Sequence, residues 1–127
     1  MIGQIVLRYY YMSDILLYTN DLELGTTLSE RLLHGSNTIM FVDHLNSLNN
    51  NADLLIIDLD DKEINPKAII KIIENNSSIR VVGIMNEIQK NKWDDYRKAG
   101  CEMIYLRSVI IKNIDTILSN KNLDNNG

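Results

Sequence analysis

Cysteine and proline each occur once in this chain of 127 residues. With Cys101 alone, no intramolecular disulfide can form, which fits a reducing cytoplasmic setting. No stretch approaches the ~20 consecutive apolar residues of a membrane span, so a transmembrane protein is not expected. Basic residues number 13 against 17 acidic ones, for a net charge of −4. They form no dense Lys/Arg patch, which argues against a nucleic-acid partner. A glycine-rich phosphate loop, a nucleophile elbow and a Cys/His metal cluster are also missing. What remains is an ordinary globular composition, 45% apolar and 24% charged. Its length suits one domain with a substantial core.

The stretch Ala52 to Asp61, ADLLIIDLDD, dominates the pattern. Leu54, Leu55, Ile56 and Ile57 end abruptly on the carboxylates Asp58, Asp60 and Asp61. An unbroken apolar run of this length suits a strand buried on both faces of a parallel sheet. In open α/β sheets, ligands gather beyond the carboxyl ends of the strands. Asp58 stands at that edge.

Around this strand the chain alternates. DILLY (Asp14 to Tyr18) reads as a first strand. Asn20, with Glu23 three residues later, resembles a capping box that opens a helix bearing the stripe Leu24, Leu28, Leu32 and closing at Gly35. TIMFV (Thr38 to Val42) is a second strand, and Asp43 to Asn51 holds at most a stunted helix. Asn65-Pro66 marks a helix start, with Asn as N-cap and Pro at the first helical position. Ile69, Ile70, Ile72 and Ile73 give that helix a broad apolar face. RVVGIM (Arg80 to Met85), a polar helix from Glu87 to Ala99 closed by Gly100, EMIYL (Glu102 to Leu106) and a helix from Ser108 to Leu118 complete the series. Strict alternation with short connections predicts an α/β fold, a flavodoxin-like three-layer sandwich. Its five parallel strands are expected in the order 2-1-3-4-5. The expected domain covers 13–120. Residues 1–12, with strand propensity at Tyr9 to Tyr11, form a peripheral extension that reads equally as a tail, an extra edge strand or upstream sequence before Met12. Residues 121–127 form a flexible tail.

Two segments carry a family resemblance. ADLLIIDLDD is similar to the "PDLVLLDL" strand of bacterial response-regulator receiver domains, and KAGCEMIYLRS (Lys98 to Ser108) to their "AGADDYLxKP" segment. The likeness spans roughly Asp14 to Asn120. It implies a phosphoacceptor at Asp58 and a magnesium site after the first strand. It also implies a hydroxyl ending the fourth strand, a lysine ending the fifth, and an aromatic switch residue three positions before that lysine. This chain departs at most of those positions. Thr19 and Asn20 replace the acidic pair, with Asp21 one residue beyond. Met85 replaces the Thr/Ser, Arg107 the lysine and Ile104 the switch aromatic, while Ser108 stands at the proline position. Any Mg²⁺ is thus left with Asp58, Asp21, a backbone carbonyl and Asn20. Met85 has no hydroxyl to donate, and a guanidinium does not replace an ammonium without change.

Plainer roles compete with these. Asp58 suits a strand-end carboxylate satisfied by water or Arg107, Asn20 and Asp21 a helix cap and a first-turn charge, Asp60 and Asp61 solvated loop charges, and Cys101 a small core residue. His34 and His44 show no partner in the sequence. Trp93 and Tyr96 suit core positions, and with Tyr105 they also fall on the face through which receiver domains usually meet partners, built from the last two helices and the fifth strand. The expected function is therefore that of an atypical, stand-alone receiver domain, a pseudo-receiver in two-component signal transduction. It is expected to act through protein–protein contacts without phosphorylation and without enzymatic activity. Its partner would be a histidine kinase, an effector or a second copy. Two alternatives stand beside it: a working phosphoacceptor using Asp58 and Mg²⁺, and a small flavodoxin-like enzyme or nucleotide-binding domain.

Overall fold

β-branched and leucine-rich segments form five strands: β1 Asp14–Tyr18, β2 Thr38–Phe41, β3 Leu54–Asp58, β4 Arg80–Met85 and β5 Met103–Leu106. The helices between and after them are α1 Leu22–Leu33, α2 Pro66–Asn75, α3 Lys90–Ala99 and α4 Ile110–Asn126. The computed structural model describes residues 14–33, 37–45, 52–76 and 78–126. The predicted extension at 1–12, the proposed stop at Gly35, His34 and most of the predicted stunted helix lie outside them. The strands form one sheet in the order β2-β1-β3-β4-β5, with every pair parallel, as the alternation predicts. Among the described residues no helix is long and apolar enough to cross a membrane.

Successive strand residues point to opposite faces, and both faces are covered. Leu55, Ile57 and Val81 join Ile69 and Ile72 of α2 and Tyr96 and Ala99 of α3 in one cluster. Leu54, Ile56, Val82 and Ile84 join Leu24, Leu28 and Leu32 of α1 and Ile110, Ile114 and Ile117 of α4 in the other. This explains why β3 reads as a continuous apolar run: each of its five residues is buried. The register sets Tyr18 beside Ile57, Ile57 beside Gly83 and Gly83 beside Ile104. The carboxyl ends of β1, β3, β4 and β5 therefore finish at one level.

Several boundaries differ from the sequence reading. The N-cap of α1 is Asp21, not Asn20: Asp21 Oδ1 accepts the Leu24 N–H at 3.0 Å. α3 begins at Lys90 rather than Glu87, because the Asn86 N–H is held by Asp60 Oδ2 at 2.6 Å and the following residues stay in the loop. α4 begins at Ile110 rather than Ser108, and continues to Asn126 rather than ending at Leu118. No glycine or proline interrupts it before Gly127, so no backbone signal stops the helix where its apolar face ends. β2 ends at Phe41 and β5 begins at Met103, one residue short of the predicted strand in each case.

Two expected local signals hold. Asn65 Oδ1 accepts the Ala68 N–H at 2.9 Å, with Pro66 at the first helical position. Gly100 ends α3 at φ 127°, with its N–H on the carbonyls of Tyr96 and Arg97. A side chain there is disfavoured by the left-handed backbone, and its Cβ would also run into Ile73 Cδ1.

Candidate functional site

Strand alternation also selects what faces the site. Ile15 and Leu17 point toward α1 and α4, as do Leu54 and Ile56. The same parity carries Thr19, beyond β1, and Asp58, at the end of β3, to that side. Arg107 follows from Tyr105, which packs against the same cluster. The Arg107 N–H bonds to the Met85 carbonyl at 2.8 Å and so extends the sheet ladder. Three side chains from separated parts of the sequence thus converge at the carboxyl edge.

Asp58 is the only buried polar or charged residue among the described residues. Its Oδ2 accepts Arg107 Nη2 at 2.7 Å and the Thr19 hydroxyl at 3.3 Å, and its Oδ1 accepts the Asp60 N–H at 3.1 Å. The other guanidinium nitrogen, Arg107 Nη1, donates to Asp21 Oδ2 at 3.2 Å. Arg107 therefore bridges the carboxylates of Asp21 and Asp58. Asp60 lies 3.8 Å from Nη2 as a further partner. Burial pulls the Arg107 pKa down. The hydrogen bond to Asp58 and the charges of Asp58, Asp21 and Asp60 outweigh it, so the net shift is upward.

An open cleft of about 700 Å³ lies over these groups, lined in part by Tyr18, Asp21, Asp58, Asp61 and Arg107. The Tyr18 pKa is raised, first by burial, then by the charges of Asp61 and Glu63 and the hydrogen bond to Asp61. His44, which showed no partner in the sequence, also lines this cleft.

The predicted site residues divide. Asp58, Asp21 and Arg107 come together. Asn20 lines the same cleft but contacts another carboxylate: its amide donates to Asp61 Oδ2 at 2.7 Å. Met85 and Ile104 are core residues in the cluster beneath α2 and α3. Of the two readings of Tyr96, core residue and partner surface, the structure bears out the first: it is 2% exposed and fills the core between α3 and the sheet. Its aromatic ring gains more by burial than polar α3 suggests. Trp93 is half-buried against the same cluster and Tyr105 against the opposite one, while Ile88 and Met103 are exposed. Cys101 is a buried free thiol, as expected of a small core residue.

Asp60 is the residue that sequence reasoning undervalued. It is no free loop charge: it holds the Asn86 N–H at 2.6 Å and Lys92 Nζ at 3.1 Å, and so ties the start of α3 to the loop after β3. These partners lie 26 and 32 residues away, and no local pattern announces them.

The receiver resemblance implies Mg²⁺ here, and the donor set does not fit it. Octahedral Mg²⁺ needs oxygens at about 2.0–2.1 Å. Asp21 has one oxygen capping α1, and its other oxygen is joined to Asp58 by the Arg107 guanidinium. The Asn20 amide faces Asp61. Among the described residues no three His, Cys, Asp or Glu side chains are grouped to hold a metal ion.

The sheet order defines the class: a flavodoxin-like parallel sandwich, here with an acidic cleft at its carboxyl edge. Solved structures narrow the fold to that of response-regulator receiver domains. A CheY-like receiver domain from Methanospirillum hungatei superimposes with a TM-score of 0.79 at 10% identity, covering 91% of this chain and 99% of that one. A response regulator from Thermotoga maritima gives 0.71 at 14% identity, covering 85% and 98%. HP1043, an orphan response regulator of H. pylori, gives 0.68 at 17% identity, covering 82% and 94%. Neither protein-family models nor curated proteins match the chain.

Proposed function

We propose that this chain is a signalling module of the receiver type, working in the cytoplasm through protein–protein contacts, with no enzymatic reaction of its own and no need for phosphorylation at Asp58. The observation that carries this reading is the engagement of Asp58 on both oxygens, by Arg107 and Thr19 on one and by the Asp60 N–H on the other. Phosphoryl transfer rests on positioning and charge neutralisation around the acceptor. Here Thr19 and Asn20 supply no charge, and Met85, buried in the core, supplies no hydroxyl. The partner is a histidine kinase, an effector or a second copy of the chain. Its docking face is built from α3, β5 and α4, where exposed Ile88 and Met103 and half-buried Trp93 and Tyr105 provide apolar surface.

A second reading, a working phosphoacceptor, is favoured by one observation: Asp21, Asp58 and Arg107 meet at an open cleft. It requires Arg107 to withdraw from the carboxylates. Beryllofluoride with magnesium, a stand-in for the phosphoryl group, separates the two. Under the proposed reading it leaves the thermal unfolding midpoint of the wild type unmoved. Saturable stabilisation that vanishes in Asp58→Asn would select the phosphoacceptor instead.

A further inference from the structure

We infer that Arg107 is the resident counter-ion of Asp21 and Asp58: its guanidinium holds carboxylate oxygens that a divalent ion between them would draw on, and the two exclude one another. This deepens the phosphorylation-independent reading, on which it rests, by naming what occupies the carboxylates. It also makes a claim about metal alone.

Asp21, Asp58 and Asp60 bring three carboxylates to one edge, and Asp58 is buried. Uncompensated, such a cluster repels itself, and a buried carboxylate needs a partner. A divalent ion is one solution. The structure has another: a single planar fork with one nitrogen on Asp21 at 3.2 Å and the other on Asp58 at 2.7 Å. Lys92 neutralises Asp60 from the α3 side at 3.1 Å. Two cations thus face three carboxylates.

Geometry then makes the alternatives exclusive. The oxygen that Asp21 has left after capping α1 is the oxygen that Arg107 holds. On Asp58, Oδ2 faces Arg107 while Oδ1 is turned to the Asp60 N–H. A metal drawing on both carboxylates must compete with the guanidinium for Asp21 Oδ2, and on Asp58 it meets either Arg107 at Oδ2 or the Asp60 N–H at Oδ1. A fork suits this bridging because its donors are fixed in one plane, whereas a lysine ammonium is a single compact point of charge. Asp21 lies 86 residues from Arg107 in sequence, so the bridge also ties the start of α1 to the end of β5. No metal is required to join these parts of the edge.

The test uses the full chain and no phosphoryl analogue. Mn²⁺ binding is followed by water-proton relaxation, and Mg²⁺ binding by thermal unfolding at constant ionic strength. Wild type is expected to show no saturable binding at millimolar metal. Arg107→Met is expected to bind roughly tenfold tighter or better, the size of an ordinary coupling between two sites. Arg107→Met combined with Asp58→Asn is expected to lose the gain. Saturable binding by the wild type that Asp58→Asn removes would overturn the inference. So would an Arg107→Met protein with a native circular-dichroism spectrum and no gain in affinity. If Arg107→Met does not fold, Arg107→Gln takes its place under the same criteria. Metal binding by the wild type without any response to beryllofluoride sinks this inference and leaves the proposed function standing. A beryllofluoride response sinks that function.

Discussion

Lys92, in the first turn of α3, donates to Asp60 across 3.1 Å and joins that helix to the loop following the middle strand. The other Asp60 oxygen holds the Asn86 N–H. Asp60→Ala removes both bonds and leaves the exposed Asn86 N–H to water. We expect a loss of about 0.5–1.5 kcal/mol in chemical denaturation. The fluorescence of Trp93, the only tryptophan and the neighbour of Lys92, should shift with it. Lys92→Met removes only a partly exposed ion pair and should cost under about 1 kcal/mol. Equal losses for the two variants would show that the Asn86 bond contributes nothing.

Removing Arg107 leaves Asp58 with its charge and without its nearest counter-ion. The two side chains are 23% and 8% exposed, so solvent screens the pair only in part. Arg107→Ala should destabilise by roughly 1–3 kcal/mol. In a background carrying Asp58→Asn the same change should cost less, since no buried charge is stranded. A double-mutant cycle by urea denaturation measures the difference. Additive losses would mean that the two groups do not interact energetically.

The α1 stripe should dominate stability. Leu28 is fully buried between α1 and the sheet, and Leu28→Ala should cost about 2–5 kcal/mol. Leu22, on the same helix, is 83% exposed, and Leu22→Ala should stay within about 0.5 kcal/mol of wild type. Similar unfolding midpoints for the two variants would contradict this packing.

Alkaline pH should unfold the protein through two buried groups. Burial pushes the Cys101 thiol up from 9.0 to about 12, with the Arg97 charge pulling it back. Burial first, then the charges of Cys101 and Asp60, pushes the Tyr96 hydroxyl from 10.0 to about 12. The native state therefore holds both protons more tightly than the unfolded chain. The stability they contribute is complete below pH 9 and falls as pH rises toward about 12. Denaturation series between neutral pH and pH 11 should show this decline. Cys101→Ala should flatten the part that begins near pH 9.

Much of the fold was legible in the chain because its signals are local. The continuous apolar run of β3, the Leu24, Leu28, Leu32 stripe, the Asn65-Pro66 cap and the Gly100 stop each depend on residues within one or two turns. The position of Asp58 at the strand end follows from the same run. Local patterns read some ends poorly. Asp21 displaced Asn20 as the cap because its own carboxylate reaches Leu24, and α4 ran on through polar residues that no helix breaker interrupts.

What the sequence determined by itself is the alternation of strands and helices, and with it a parallel sheet with an acid at its carboxyl edge. Hydrophobic period and backbone preference are properties of neighbouring residues. The sequence offered water or Arg107 as the partner of that acid, and the tertiary structure decided for Arg107 and added Thr19, the Asp60 N–H and the bridge to Asp21. Arg107 meets Asp58 from 49 positions away and Asp21 from 86, because strand register and side-chain length, not spacing along the chain, bring them to one point. The burial of Tyr96 and the grip of Asp60 on α3 were decided in the same way, by packing between elements distant in sequence.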